Sequence, residues 1–136
     1  MLIVPVDGSD CALRALAYAC RRFKLGGYQA LLALNVQPPI PSGRVVTKRM
    51  VRDHQAEQAE LALAPARALA TRIGVPLRTS FAISAPAAAI VATAKKARGD
   101  EIVMGTRGRG RWKSLLVGST ASAVIQLAEV PVTLVK

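Results

Sequence analysis

"GTRGRGRWKSLLVGST", residues 105–120, holds four glycines, four cations and no acidic residue. An apolar run, "EIVM" (101–104), precedes it, and an alanine-rich run, "ASAV" (121–124), follows. Apolar, β-branched residues that stop at a glycine read as a buried strand and its exit turn. Gly118-Ser119-Thr120 before the alanines reads as a helix start. The stretch is therefore a strand, a glycine-rich basic loop and a helix N-terminus in succession. Gly108 and Gly110 permit positive φ, which lets successive N–H groups turn toward one anion. A helix start adds orphan N–H groups and the positive end of the dipole, so the junction has the parts of a phosphate site.

Three familiar phosphate loops do not fit. A Walker A loop needs Gly-Lys-Ser/Thr after a spaced glycine, and none is present. The dinucleotide fingerprint G-x-G-x-x-G could start at Gly108, but Lys113 occupies its third glycine place. The companion motifs of a kinase glycine loop are missing.

Working outward, "LIVPV" (2–6) reads as a first buried strand ending at Asp7-Gly8-Ser9, with Ser9 placed to cap a helix over 10–24. Gly26-Gly27 stops that helix. "YQALLALNV" (28–36) reads as a second strand, and the proline-rich "QPPIPSGRVVT" (37–47) as the longest loop. A long helix is expected over 49–73, with Ala56, Ala59, Leu63, Ala66 and Ala70 inward and a kink or break at Pro65. "LRTSFAI" (77–83) alternates as a strand near a sheet edge, and 86–98 reads as a helix with Pro86 in its first turn. After the strand over 101–105, a helix runs from about Gly118 to 128, and "VPVTLV" (130–135) closes as a strand.

Strands alternating with helices predict an α/β fold over residues 1–136 as a single domain: a doubly wound, five-stranded parallel sheet with helices on both faces. Ligands of such sheets sit beyond the carboxyl ends of the strands, where the strand order reverses. Asp7 and the glycine-rich stretch both follow strands, so both are candidates for that position.

The 136 residues are enough to bury roughly 70% of the unfolded chain's surface. Half the residues are apolar but few are aromatic, so Ala, Val, Leu and Ile must build the core. No apolar run reaches the ~18 residues of a membrane span, and the N-terminus lacks a secretory pattern, which makes the cytoplasm the expected location. Cys11 and Cys20 fall in one expected helix, about 13 Å apart along its axis and on opposite faces, so they read as buried, reduced thiols. His54 is the only histidine, which leaves no Cys/His metal spacing. Nineteen basic against eight acidic residues give a net charge of +11, a surface that attracts anions without saying which.

Gly105-x2-Gly108-x9-Gly118-Ser119 resembles the G-x2-G-x9-G-[S/T] pattern of nucleotide-binding universal stress proteins. "LIVPVDGS" (2–9) and "VPVTLVK" (130–136) are similar to that family's first and last strands, so the resemblance spans nearly the whole chain. It implies strand order 3-2-1-4-5, a Rossmann-like, adenine nucleotide alpha hydrolase-like arrangement. By the same resemblance Pro5, Val6 and Asp7 line the adenine and ribose end, and Val36 touches the base. Met104 and Gly105 border that pocket, and Gly108, Gly118, Ser119 and Thr120 take the phosphates. The family implies ATP with Mg²⁺ or another divalent ion, a homodimer through the last strand, and slow or absent hydrolysis. The chain departs from the family at Ser84-Ala85-Pro86, where a Gly-Asp-like turn is frequent, and in its strongly basic charge.

Each candidate has a plainer reading. Asp7 has the alternative of capping the turn before the first helix, but its place at the expected reversal point favours a ligand role. Ser119 lacks a His or acid to activate it and reads as a cap that also donates to phosphate, so no catalytic residue is assigned. Arg107, Arg109, Arg111 and Lys113 are either a solvated face or, for one or two including Arg107, bidentate phosphate donors. Trp112 reads as a loop anchor or dimer contact. Arg44, Lys48, Arg49 and Arg52 form a solvent face or an electrostatic lure, and His54 lies on the surface. The expected function is an ATP-dependent sensor or switch. One rival is a basic nucleic-acid binder, which the scarcity of aromatics disfavours; another is a dimeric interaction module of the same fold that binds no nucleotide.

Overall fold

The computed structural model describes residues 1–41, 47–107 and 117–136. Five strands and four helices alternate: β1 (Leu2–Pro5), α1 (Asp10–Lys24), β2 (Leu31–Gln37), α2 (Lys48–Ile73), β3 (Arg78–Ile83), α3 (Pro86–Lys96), β4 (Glu101–Gly105), α4 (Ser119–Leu127) and β5 (Val132–Val135). The strands form one sheet of order β3-β2-β1-β4-β5, every pair parallel. The order reverses between β1 and β4.

Alternation along the strands sorts the core into two layers. Leu2, Val4, Leu31, Ala33 and Val103 face α1 and α2, where they meet Leu16, Ala19, Leu63 and Ala66. Ile3, Leu34, Ile102 and Met104 face α3 and α4, against Ile90, Ala94, Ala121 and Val124. Each fully buried Leu or Ile contributes about 1.5–3 kcal/mol. The alanines let the helices approach the sheet closely. Because all strands are parallel, every helix starts at the rim where strands end. Ser9 caps α1 by accepting from the Ala12 N–H at 3.2 Å, and Thr47 caps α2 by accepting from the Met50 N–H at 3.3 Å. Pro86 opens α3 at a position whose N–H would have no helical partner.

Several expected boundaries shift, each for a physical reason. The second strand begins at Leu31, not residue 28, because Gly26 (φ 89°) and Gly27 (φ 92°) prolong the turn and the Tyr28 hydroxyl is tied to Glu101 at 2.6 Å. Helix α2 runs through Pro65 without a break. Pro65 and Leu61, whose carbonyl loses its donor, both lie on the solvent side, where water replaces the lost bond. The inward face of α2 carries Gln55, not Ala56, which is exposed. Gln55 is tolerated there because its Nε2 donates to the Pro38 carbonyl at 2.7 Å. Helix α3 ends at Lys96, and β5 begins at Val132, two residues after the expected start at 130. Cys11 and Cys20 are both buried and free.

At the amino ends of the strands, Glu101 is 7% exposed and accepts from Tyr28 Oη (2.6 Å), Thr133 Oγ1 (2.5 Å) and Arg22 Nη2 (3.4 Å). This cluster joins α1, β4 and β5 at the rim opposite the reversal point.

Candidate functional site

The site starts with a proline. Leu2 N–H donates to the Ala30 carbonyl and Val6 N–H to the Leu34 carbonyl, both at 2.9 Å, so even residues of β1 donate toward β2. Odd residues therefore donate toward β4. Ile3 pairs with Ile102, but Pro5 has no N–H, and the β1–β4 ladder stops after Ile3. The two central strands part at their carboxyl ends, and a cleft of about 590 Å³ opens there.

On the β1 side, Gly8 turns the chain at φ 82°, and Asp7 Oδ1 accepts the Ser9 N–H at 2.9 Å. The plainer reading of Asp7 thus holds for one oxygen, while the residue also lines the cleft. The Val6 carbonyl accepts from Asn35 Nδ2 at 2.7 Å, and Asn35 Oδ1 in turn accepts from Gln37 Nε2 at 2.7 Å.

On the β4 side, Gly105 exists for packing. A β-carbon there would stand 2.8 Å from Cys11 Sγ and 3.0 Å from the Cys11 carbonyl carbon and oxygen. The missing side chain makes room for the first turn of α1, and Gly105 also lines the cleft. Thr106 continues the β4–β5 ladder by donating to Val135 at 2.9 Å. Its carbonyl accepts the Gly118 N–H at 2.7 Å, which pins together the two ends of the glycine-rich segment. Gly118 is thus not one of the free donors expected at the start of α4. The N–H groups of the first turn, Ser119, Thr120 and Ala121, have no protein acceptor among the described residues, and α4 has no side-chain cap. These groups, with the dipole of α4, form the anion-attracting end of the cleft.

The opposite end is apolar, lined by Leu34, Val36, Pro38, Pro86 and Ile90. Met104, 5% exposed, closes its floor. An apolar slot beside uncapped N–H groups suits a flat ring joined to an anionic tail.

Beside the cleft, burial pushes the Cys11 thiol up. The Arg107 N–H, the Thr106 hydroxyl and the Arg14 charge outweigh it and hold the thiol below its ordinary value. Burial alone dominates at Cys20 and raises that thiol.

Ten of the residues singled out in the sequence line this one cleft: Pro5, Val6, Asp7, Val36, Met104 and Gly105 along the strands, then Arg107, Gly118, Ser119 and Thr120. Gly108 lies outside the described residues, as do Arg44, Arg109, Gly110, Arg111, Trp112 and Lys113. Lys48, Arg49, Arg52 and His54 are exposed on α2 and do not line the cleft. Sequence reasoning missed Asn35, Gln37 and Thr106. The signal for Asn35 was an amide inside an otherwise apolar strand. No group of three His, Cys, Asp or Glu side chains converges among the described residues. A divalent ion entering with phosphates needs only one or two protein carboxylates, and Asp7 is the carboxylate in the described lining.

The universal stress protein family model matches residues 1–136. A universal stress protein of Thermus aquaticus, encoded in the QAH/OAS sulfhydrylase 3′ region, is 36% identical over 138 residues, covering 99% of this chain and 97% of the relative. The solved structure of UspA from Lactobacillus plantarum superposes with a TM-score of 0.86 at 25% identity, covering 99% of this chain and 96% of that one. The universal stress protein from Archaeoglobus fulgidus in complex with dAMP superposes at 0.73 with 27% identity, covering 99% and 96%.

Proposed function

Because the chain belongs to the universal stress protein family, we propose that its cleft binds ATP together with Mg²⁺ and that the protein acts as a nucleotide-dependent switch. The observation that carries this reading is the uncapped first turn of α4, facing one end of a cleft whose other end is apolar. The Archaeoglobus fulgidus relative, solved with dAMP, supports an adenine nucleotide as the ligand class.

In this reading the base occupies the apolar end near Val36, and Pro5, Val6, Asp7, Met104 and Gly105 flank base and ribose. The phosphates meet the N–H groups of Ser119, Thr120 and Ala121, the Ser119 and Thr120 hydroxyls, and the Arg107 guanidinium. Gly108 belongs to the phosphate loop. Mg²⁺ neutralises phosphate charge and is held chiefly by the phosphates themselves, with Asp7 as the nearby carboxylate. Ser119 has no His or carboxylate hydrogen-bonded to it among the described residues, so it serves binding and any hydrolysis is slow. The active form is a cytoplasmic homodimer. Among the described residues, strand β5 pairs with β4 on one side only, and pairing with a second copy would cover its other edge.

Equilibrium dialysis with labelled ATP, with and without Mg²⁺, tests the reading, and sedimentation tests the dimer. At Gly118 (φ −70°, ψ 160°) a β-carbon would lie 3.4 Å from the Thr106 carbonyl, so the backbone tolerates a side chain. Gly118→Val is expected to fold and to lose at least about tenfold in ATP affinity as its methyls crowd the helix start. Unchanged affinity in this variant removes the phosphate site.

A further inference from the structure

Helices α1, α2 and α3 end at the rim where the strands begin, and each carries cations in its last turn: Arg21, Arg22 and Lys24, then Arg72, then Lys95 and Lys96. Arg78 opens β3 at the same rim, and Arg98 stands in the turn that leads into β4. The ends are joined. Lys24 Nζ donates to the Ile73 carbonyl at 2.7 Å, and the Asp100 N–H donates to the Met1 carbonyl at 2.9 Å. Three carboxylates stand among these cations and each is paired: Asp100 with the Met1 amino group, Glu101 with Arg22, and Glu129 with Lys95. The other five acidic residues of the chain lie away from this rim, at Asp7, Asp10 and the first half of α2. Arg21, Lys24, Arg72, Arg78, Lys96 and Arg98 are exposed and have no carboxylate partner among the described residues.

Cations at helix C-termini complement the helix dipoles. Three helix ends bring roughly −0.5 charge each, too little to balance six cations. Two further features fall at the same rim. Arg98 has φ 49° and is the described non-glycine residue with a positive φ. Helix α2 fills the corresponding place with Gly74 at φ 77°, where the left-handed backbone costs nothing. An arginine held where glycine is easier points to a use for its charge. Leu25, beside Lys24 and the Gly26-Gly27 turn, is 85% exposed, more than any other large apolar residue described.

We infer that this rim docks on an anionic membrane surface, with the cations on the lipid phosphates and Leu25 in the headgroup layer. Charge alone would suit a nucleic acid equally. The protruding leucine decides for lipid, because it gains by leaving water there and has nothing to gain on a phosphate backbone. Such docking needs no spanning helix, and none of the described helices is long and apolar enough to be one. The cleft, at the opposite rim, stays open to solvent.

Sedimentation of the whole protein with vesicles tests this. Vesicles of phosphatidylcholine and phosphatidylglycerol in equal parts are expected to carry the protein down at low salt, less so as salt rises, and phosphatidylcholine alone to leave it in solution. Arg98→Gly is expected to raise the urea midpoint and yet to weaken vesicle binding about fivefold. Leu25→Ser, which changes no charge, is expected to weaken it about tenfold. Lys48→Gln removes one charge at the far end of α2 and should bind as the parent does. Equal binding to both kinds of vesicle overturns the inference. So does an equal loss in Lys48→Gln and Arg98→Gly, which would mean that net charge acts without a defined face. Binding that survives both Arg98→Gly and Leu25→Ser overturns it as well. Tighter binding to a DNA duplex than to the mixed vesicles, unchanged in Leu25→Ser, would assign the rim to nucleic acid instead.

Discussion

Gly105 lies so close to Cys11 that a β-carbon on it would stand 2.8 Å from the cysteine sulfur. Two of the atoms it would meet, at 3.0 Å, are main-chain atoms in the first turn of α1, which cannot rotate away. Gly105→Ala is therefore expected to destabilise the fold by about 1–3 kcal/mol. Urea unfolding at constant slope measures this. Combining it with Cys11→Ala should recover only part of the loss, since the sulfur leaves but the carbonyl stays. Full recovery would mean that the sulfur alone sets the close approach.

Glu101 anchors the other rim. Its carboxylate is met by donors from Tyr28, Thr133 and Arg22. Glu101→Gln removes the charge and presents an amide to this set of donors, at an expected cost of about 1.5–3 kcal/mol. Because this rim is opposite the cleft, ATP affinity of the folded variant should equal the parent's. A thermal midpoint unchanged by the substitution would show that water supports these groups as well as the carboxylate does.

The alternation of apolar runs and helical patterns was enough to give a parallel sheet covered on both faces, because "LIVPV" and "EIVMG" can hardly be anything but buried strands, while the strand order came only with the family resemblance. What stayed hidden depends on contacts distant in sequence. The start of β2 is set by Tyr28 reaching Glu101, 73 residues on. The phase of α2 was open by one residue because alanine fits either face, and Gln55 is inside only because the Pro38 carbonyl meets it. In the cleft, the glycine pattern led to Gly118-Ser119-Thr120. It did not reveal that the Gly118 N–H is already taken by Thr106, or that Gly105 answers to Cys11. Asn35 was passed over: an amide in an apolar strand is visible in the sequence, but its role depends on the position of the Val6 carbonyl.

The two thiols should respond to alkali with opposite signs. Burial opposes ionisation of Cys11, but the Arg107 N–H, the Thr106 hydroxyl and Arg14 together lower its folded value. Its stabilising share is complete above the unfolded thiol value and fades as pH falls through the folded one. Burial raises Cys20, so its share is complete below the unfolded value and is lost as pH rises through the folded one. Across an alkaline series of urea midpoints, Cys20→Ala should decline less steeply than the parent and Cys11→Ala more steeply. Parallel slopes for all three proteins would contradict both assignments.

The split between β1 and β4 gives the last prediction. In this sheet the N–H of a β1 residue donates to the residue preceding its partner, as Leu2, paired with Leu31, donates to Ala30. Continued by two residues from Ile3–Ile102, the register sets Pro5 opposite Met104, and an N–H at position 5 would meet the Val103 carbonyl. Pro5→Val supplies that donor in a β-branched residue suited to a strand. The added ladder bond should stabilise the protein by about 0.5–1.5 kcal/mol. It should also draw the ends of β1 and β4 together and narrow the cleft, so ATP binding should weaken as stability rises. A variant that gains stability and binds ATP as tightly as the parent would mean that the missing N–H ends the ladder without shaping the site. A variant that gains neither would place the cause of the split elsewhere, in the turn at Asp7-Gly8 or in the closure of Thr106 onto Gly118.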